Sequence, residues 1–369
     1  MASTRSKVQK GKTHRSAAKN GAVSRSPEFQ SATPIRVSRV GALQGIKLSE
    51  LFEPNETHKI RLAAQVGITH AIVDVSKELK QVPRDRYTVV LGKIKSDFQA
   101  AGMSFSGVES HPVLAEKIKL GLQGRDEEIE NYMAAIKALA RLDVRMICYN
   151  WMAGLGWYRT RTDESGRGGA LISEFDNKIA QKQGLTEWGE VKEEKIWNNL
   201  EYFLRSVIPV AEQEGVKMAL HPDDPPLSPL RGIARILTSS DSYRRIFEMF
   251  PSPINGVTFC QANFKLMGED IAALAHEWSS QKKIFFVHFR DVAGTRSHFR
   301  ETFHDCGPTD LAQMLRIYHD CGFEGPIRPD HAPTLDGESN ELPGYAMGGK
   351  ILAIGYMKGV MDAFKIPYC

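Results

Sequence analysis

The sequence lacks any apolar run close to the roughly 18 to 20 residues that a membrane-spanning helix needs. Cysteine is scarce: the 369 residues contain five, without a Cys-x-x-Cys pair, which argues against a disulfide framework and favours a reducing compartment. The net charge is only +4. The composition therefore gives no indication of a basic surface that would bind nucleic acid. These absences predict a soluble, cytoplasmic protein that binds neither a membrane nor a nucleic acid.

The basic residues are concentrated at the start of the chain. Residues 1–36 hold eight Lys or Arg against one Glu and almost no aromatic or branched apolar side chains. Such a segment cannot bury enough surface to offset the entropy of ordering. We therefore predict a disordered basic tail over 1–36 and a single folded domain over 37–369.

Eight apolar runs of strand length alternate with segments of helical periodicity from about residue 44 onward. The runs cover residues 46–48, 71–75, 104–108, 145–149, 217–220, 257–260, 284–289 and 325–328. Helical patterns cover residues 127–142, 197–214, 270–279 and 309–320, and several helices end in a glycine just before the next run, as expected of helix caps. The alternation predicts an α/β protein with a (β/α)8 TIM barrel. An open doubly wound sheet is the less favoured alternative, because no Gly-rich phosphate loop follows the first run.

Four consecutive predicted strands end in a residue that can bind a metal. These residues are His221, Cys260, His288 and Asp330. In a TIM barrel the carboxyl ends of the strands meet on the face that carries the active site. A lone histidine there is more often structural, but four such residues on one face predict a metal site.

The donor set of this predicted site restricts the metal. Two imidazoles, a thiolate and a carboxylate suit manganese, iron, cobalt or zinc, and are too rich in nitrogen and sulfur for calcium or magnesium. Because zinc prefers four ligands, a catalytic role favours an ion that accepts five or six, such as Mn²⁺.

Several motifs in the last two thirds of the chain resemble the mannonate dehydratase family. They are His-Pro-Asp-Asp-Pro-Pro at 221–226, Val-His-Phe-Arg at 287–290, Arg-Pro-Asp-His at 328–331 and Pro-Gly-Tyr at 343–345. The similarity runs from roughly residue 95 to residue 362. It implies a metal-dependent barrel of the xylose-isomerase-like type that removes water from D-mannonate to give 2-dehydro-3-deoxy-D-gluconate, usually with manganese. It also implies that the four strand-end residues hold the metal, and that His331 and Tyr345 transfer protons.

Further residues near the strand ends are candidates for substrate contacts. We predict that Arg159, Arg290, Asp223 and Asp224 bind the sugar acid, with Arg159 suited to a carboxylate. Arg328 is expected to orient a metal ligand. The segment around 160–196 is too long for a simple loop and predicts a lid over the barrel mouth.

Two alternative functions stay open at this point. One is a metal-dependent sugar isomerase or epimerase on the same barrel, since a fold alone does not select a reaction. The other is a non-catalytic protein that keeps a metal for stability. The expected assembly is a homo-oligomer, namely a dimer.

Overall fold

The computed structural model describes residues 44–369, so the predicted tail over 1–36 lies outside the described residues. The strands of this part are β1 (Lys47–Phe52), β2 (His70–Val73), β3 (Ser104–Glu109), β4 (Met146–Asn150), β5 (Arg161–Ser165), β6 (Leu171–Asp176), β7 (Lys217–His221), β8 (Asn255–Cys260), β9 (Ile284–Phe289), β10 (Val292–Thr295), β11 (His298–Glu301) and β12 (Pro326–Pro329). The helices are α1 (Thr57–Gln65), α2 (Ser76–Lys80), α3 (Tyr87–Ala100), α4 (Glu116–Leu120), α5 (Arg125–Arg141), α6 (Asn177–Lys182), α7 (Glu193–Glu214), α8 (Ser240–Met249), α9 (Gln261–Met267), α10 (Ile271–Ser280), α11 (Leu311–Asp320) and α12 (Met347–Phe364).

Eight of the strands close into a parallel barrel in the order β1-β12-β9-β8-β7-β4-β3-β2. Each of the eight predicted runs overlaps one of these strands, and β1 pairs with both β2 and β12. The predicted TIM barrel is therefore confirmed. The open sheet is excluded, because such a sheet would leave two strands unpaired at its edges.

The helices around the barrel follow the apolar periodicity of the sequence. Along α7 the buried side chains include Ile196, Leu200, Phe203 and Val207, which recur every three or four residues and so form one face toward the barrel. The helix ends at Gly215, whose φ of 65° is the left-handed conformation that glycine adopts without strain. No helix within residues 44–369 is both long enough and apolar enough to cross a membrane.

The barrel interior is filled by apolar side chains below its carboxyl end. Cys148 on β4, Ala219 on β7 and Phe286 on β9 belong to one buried cluster. Thr258 on β8 lies beside them, since its hydroxyl donates to the Ala219 carbonyl at 3.0 Å. Side chains alternate along a strand, so the residues two positions later on these strands also face the barrel axis, one layer closer to the mouth.

A second, antiparallel sheet forms from two insertions at the carboxyl end of the barrel strands. Its order is β10-β11-β6-β5, with β5 and β6 from the segment after β4 and β10 and β11 from the segment after β9. The predicted insertion around 160–196 thus contains two strands and α6. A backbone bridge between Leu171 and Thr334 connects this sheet to the loop after β12.

A buried ion pair joins the last helix to the first strand. The Lys350 ammonium on α12 lies 2.8 Å from a carboxylate oxygen of Glu50 on β1, and neither side chain is exposed to solvent. The same ammonium donates to the Pro329 carbonyl at 2.9 Å. These contacts fix the start of α12 against the ends of two barrel strands.

Replacing Lys350 by methionine should destabilise the protein by about 3 to 5 kcal/mol, because it leaves the Glu50 carboxylate buried without a partner. Urea denaturation measures the free energy of unfolding. The double variant Lys350→Met/Glu50→Gln should recover much of the loss. Lys93→Met, which removes an exposed ion pair with Asp97, is the control and should cost less than about 1 kcal/mol. Equal losses in the two single variants would show that the buried pair contributes no more than the exposed one.

Candidate active site

One layer of polar side chains lies at the barrel mouth, directly above the apolar interior. Backbone register pairs Asn150 of β4 with His221 of β7, and Cys260 of β8 with His288 of β9. Asp330 directly follows β12, which pairs with β9. These residues lie together because the carboxyl ends of parallel barrel strands converge on one face.

The four residues predicted to bind a metal lie together. One ligand atom from each of His221, Cys260, His288 and Asp330 lies within 4.8 Å of the others. All four side chains are buried, and the two imidazole rings are 4.8 Å apart between centroids. The structure therefore brings the four donors close enough to surround one ion.

The hydrogen bonding of the two histidines fits a metal site. Neither ring nitrogen of the buried His288 has a hydrogen-bond partner of good geometry, and a buried polar group without a partner is costly. His221 is held through Nδ1, which lies 2.7 Å from the Pro222 carbonyl. Such a contact fixes the proton on Nδ1 and leaves Nε2 free for a metal.

The charge of the surrounding groups also fits a divalent cation. Five anionic groups and three guanidinium groups are joined by contacts of 4 Å or less. The anions are the carboxylates of Glu109, Asp224, Glu301 and Asp330 and the Cys260 thiolate, and the cations are Arg159, Arg290 and Arg328. With both histidines neutral, the form in which they would bind a metal, five negative and three positive charges leave two negative charges in the buried cluster. Burial and Arg328 act against protonation of His288, but the Asp330 and Glu109 carboxylates raise the pKa of its imidazole well above the ordinary value. The cluster therefore attracts positive charge at His288, and a divalent cation held there would supply it.

The surroundings of Cys260 explain why its thiol is ionised. Burial by itself raises the pKa of the thiol, but the Arg290 charge, whose Nε lies 3.4 Å from the sulfur, acts against it. Together with the neighbouring His221 and His288 side chains, it lowers the pKa of Cys260 to about 5. The sulfur is therefore ionised at neutral pH, and a thiolate is the form that binds a metal.

A second group of possible ligands shares His288 with the first. It consists of Glu109, Cys148 and His288. Arg328 already binds both carboxylate oxygens of Glu109, and burial raises the pKa of the Cys148 thiol. With three possible ligands instead of four, one of them a neutral thiol, this group offers a poorer site than the first.

Two arginines predicted to bind substrate are paired with carboxylates of the protein. Arg159 contacts both Asp224 oxygens at 2.6 and 3.1 Å and Glu301 at 2.7 Å. Arg290 contacts Asp224 at 2.6 Å and Asp330 at 2.8 Å, and it also binds Glu301. These guanidinium groups therefore join the antiparallel sheet, which carries Glu301, to the predicted metal ligand Asp330.

The two adjacent aspartates of the 221–226 loop have different partners. Asp224 lies between the two arginines and lines the cavity at the barrel mouth. Asp223 accepts from Arg235 at 3.2 Å and from the Leu237 backbone amide at 2.8 Å. The Asp223 carboxylate thus holds the loop after β7.

The two residues expected to transfer protons face each other. His331 Nε2 lies 3.3 Å from the Tyr345 hydroxyl. On the other side of the ring, Nδ1 lies 3.0 Å from Arg290, which can only donate, and 3.2 Å from the Glu301 carboxylate, which accepts. The imidazole can therefore be held with or without a proton on Nδ1, so that Nε2 can release or receive one.

Tyr345 is protonated at neutral pH in this environment. Burial and the Asp330 charge raise the pKa of its phenol above the ordinary value. Tyr345 and His331 share a cavity of about 180 Å³ with Trp157, Asn150 and three of the four candidate metal ligands, His221, His288 and Asp330. This volume suits a small molecule beside the predicted metal site.

Sequence reasoning assigned no role to several residues of this site. Glu109 ends β3 and is visible as a strand-end carboxylate, the same signal that identified Asp330. Glu301 and Lys119 carry no such signal, because a charged residue on a short strand outside the barrel or on a short helix is expected to be exposed to solvent until its distant partner is known. Asn150 also ends a strand, but an amide side chain is a weaker indication of a functional site than a metal-binding side chain.

Comparison with known proteins agrees with this geometry. A family model described as D-mannonate dehydratase (UxuA) matches residues 52–188 and 177–368. The mannonate dehydratase of Streptococcus uberis is 35% identical over 325 residues, covering 80% of this chain and 91% of the relative. Mannonate dehydratase 2 of Halalkalibacterium halodurans is 32% identical over 344 residues, covering 85% and 97%. The crystal structure of mannonate dehydratase from Streptococcus suis serotype 2 gives a TM-score of 0.76 at 26% identity, covering 88% of this chain and 95% of that chain.

The fold and the buried donor cluster define the class as a TIM barrel with four possible metal ligands at its strand ends. Within that class, the chain belongs to the D-mannonate dehydratase family, a metal-dependent family of hydro-lyases. The family resemblance of the sequence motifs is thereby confirmed.

Removing one predicted ligand should remove the metal. In Cys260→Ala the affinity for Mn²⁺ should fall by more than the roughly 10- to 100-fold that loss of a supporting contact costs, because a direct donor is lost. Elemental analysis after dialysis measures the bound metal. Cys148→Ala is the matched control, a buried thiol one layer lower, and should retain the ion. Loss in Cys148→Ala with retention in Cys260→Ala would place the metal in the Glu109 group instead.

Proposed function

We propose that this protein dehydrates a sugar acid, namely D-mannonate, to 2-dehydro-3-deoxy-D-gluconate. Membership of the family supports the reaction. The observation that carries the proposal is the shared cavity, in which the His331–Tyr345 pair lies beside four convergent metal donors. An isomerase or epimerase is not favoured, since the relatives that cover most of the chain are named dehydratases.

We propose that His221, Cys260, His288 and Asp330 hold one divalent ion, with Mn²⁺ first and Fe²⁺, Co²⁺ or Zn²⁺ as alternatives. When bound there, such an ion stabilises the negative charge that develops next to the substrate carboxylate as a proton is removed. The two uncompensated negative charges of the cluster and the unpartnered nitrogens of His288 support this assignment.

The proton transfers are assigned to the two facing residues. We propose that Nε2 of His331 takes the proton from the substrate carbon next to the carboxylate. The Glu301 carboxylate accepts a hydrogen bond from Nδ1–H of the same ring. The neutral Tyr345 hydroxyl then gives its proton to the departing 3-hydroxyl group. General acid or base catalysis of this kind contributes roughly 100- to 10,000-fold.

For Arg159 and Arg290 we propose a positioning role in place of the predicted substrate contact, because their charges are already paired with carboxylates. Arg290 holds Asp330 and His331, and Arg159 holds Asp224 and Glu301. Asp224 forms part of the cavity wall, whereas Asp223 fixes the loop.

The segment around 160–196 is proposed to cover the barrel mouth. The support is its antiparallel pairing with β11, which carries Glu301 into the active-site cluster. An ion pair between Arg167 and Asp305 and the bridge from Leu171 to Thr334 hold the two insertions and the last loop together.

Two broader expectations stay proposals. All five cysteines are free, with Cys306 exposed, which supports a reducing compartment such as the cytoplasm. The homodimer stays a prediction.

The proposal is tested by incubating the manganese-loaded protein with D-mannonate and detecting the product. We expect a 2-keto-3-deoxy acid, formed only in the presence of the metal. An epimer or ketose without loss of water would instead show an isomerase or epimerase, and metal binding without turnover of any aldonate would show a non-catalytic protein.

In the same assay Tyr345→Phe should lower kcat by roughly 100-fold or more, since only the proton-donating hydroxyl is lost. Metal content and KM should stay close to those of the wild type. Tyr202→Phe, which removes a surface hydroxyl bonded to Asp126, is the control and should leave kcat unchanged. Near-normal turnover in Tyr345→Phe would show that this tyrosine only covers the cavity.

A further inference from the structure

The side-chain amide of Asn150 is fixed in one orientation. Its Oδ1 lies 3.0 Å from the Lys119 ammonium and 3.3 Å from the Met152 backbone amide. Both of these groups can only donate hydrogen bonds. Rotating the amide by 180° would place its NH₂ against two donors, so Oδ1 must face them and Nδ2 must point away.

The NH₂ group of Asn150 lies at the cavity of the candidate active site. Asn150 is in register with His221 at the barrel mouth and lines the cavity that holds His331 and Tyr345. Nδ2 makes no hydrogen bond with any residue of 44–369, although the backbone carbonyl of Asn150 is bound by His111. Two donor hydrogens are therefore directed toward the site of the substrate.

The Lys119 ammonium behind this amide makes no ion pair of 4 Å or less with a carboxylate of residues 44–369, and its side chain is only 6% exposed. Burial lowers the pKa of Lys119 to about 8, although the more distant charges of Glu116, Asp223 and Glu128 act against this effect. The backbone of Lys119 is held at this buried place, because the Asn199 side chain of α7 donates to the Lys119 carbonyl at 2.9 Å. An anionic ligand in the cavity would compensate the charge.

We propose that Asn150 donates from Nδ2 to the carboxylate of the substrate, and that Lys119 is the positioning residue that orients the amide. This inference rests on the proposed function and identifies a carboxylate contact that Arg159 and Arg290 do not supply. The positive charge next to Oδ1 polarises the amide and makes Nδ2 a better donor to an anion. The same charge attracts the sugar acid into the cavity.

Two substitutions of Asn150 distinguish a carboxylate from a hydroxyl partner. Asn150→Leu removes the donor and should raise KM about 10- to 100-fold, as expected for a hydrogen bond to a charged group. Asn150→Asp should raise KM further, because it places a carboxylate against a carboxylate. If Asn150→Asp instead binds as well as the wild type, the partner is a hydroxyl that can donate, and the proposal is wrong.

The role of Lys119 is tested by a double-mutant cycle. Lys119→Met should raise KM about 10-fold with kcat and bound manganese retained, since the amide loses its fixed orientation. In the Asn150→Leu background the same change should have a clearly smaller effect. An unchanged KM in Lys119→Met, or full additivity of the two changes, would overturn the positioning role.

Calorimetric binding of D-mannonate separates this inference from the proposed reaction. In the manganese-loaded Tyr345→Phe background, Asn150→Leu should weaken binding by the same factor as it raises KM, independently of turnover. Asn198→Asp, an exposed asparagine of α7, is the matched control and should bind normally. Unaltered binding by Asn150→Leu would contradict the inference even if dehydration is observed, whereas weakened binding would support it even if the wild type gives no keto acid.

Discussion

The active site depends on the electrostatic balance of one buried cluster at the barrel mouth. Buried charges are tolerated only when they are paired, and here four carboxylates and a thiolate face three guanidinium groups. With both histidines neutral, the pairing leaves two negative charges, an excess equal to the charge of one divalent cation. The arginines thus limit how negative the site is and, at the same time, hold its ligands in position.

This requirement explains why the insertions after β4 and β9 pair with each other. Arg159 immediately precedes β5, and Glu301 ends β11. Their contact joins positions 142 residues apart in the chain. The antiparallel sheet therefore brings together charges that the barrel strands alone do not supply, and through Glu301 it contacts His331.

The barrel strands divide their side chains between stability and chemistry. On β4, Cys148 packs in the interior while Asn150 reaches the mouth. On β9, Phe286 packs and His288 faces the site. Because the alternation of a strand fixes which residues share a face, one layer of the barrel can be apolar and the next wholly polar.

The same regularity determines how far sequence reasoning reaches. The eight barrel strands and the converging positions of His221, Cys260, His288 and Asp330 were predictable, because strand ends meet on one face. Pairing between distant loops follows no such rule. Arg159 and Arg290 could be recognised as carboxylate binders, but only the structure shows that their partners are carboxylates of the protein. The roles proposed for Asn150 and Lys119 follow from the hydrogen bond between their side chains, which the sequence does not reveal.

Anomalous X-ray diffraction from crystals of the manganese-loaded protein, recorded at the manganese absorption edge, would locate the ion that we propose at the strand ends. We expect one strong peak about 2.0 to 2.4 Å from donor atoms of His221, Cys260, His288 and Asp330. A peak at the Glu109–Cys148 side of His288, or no peak at the barrel mouth, would contradict the proposed metal centre.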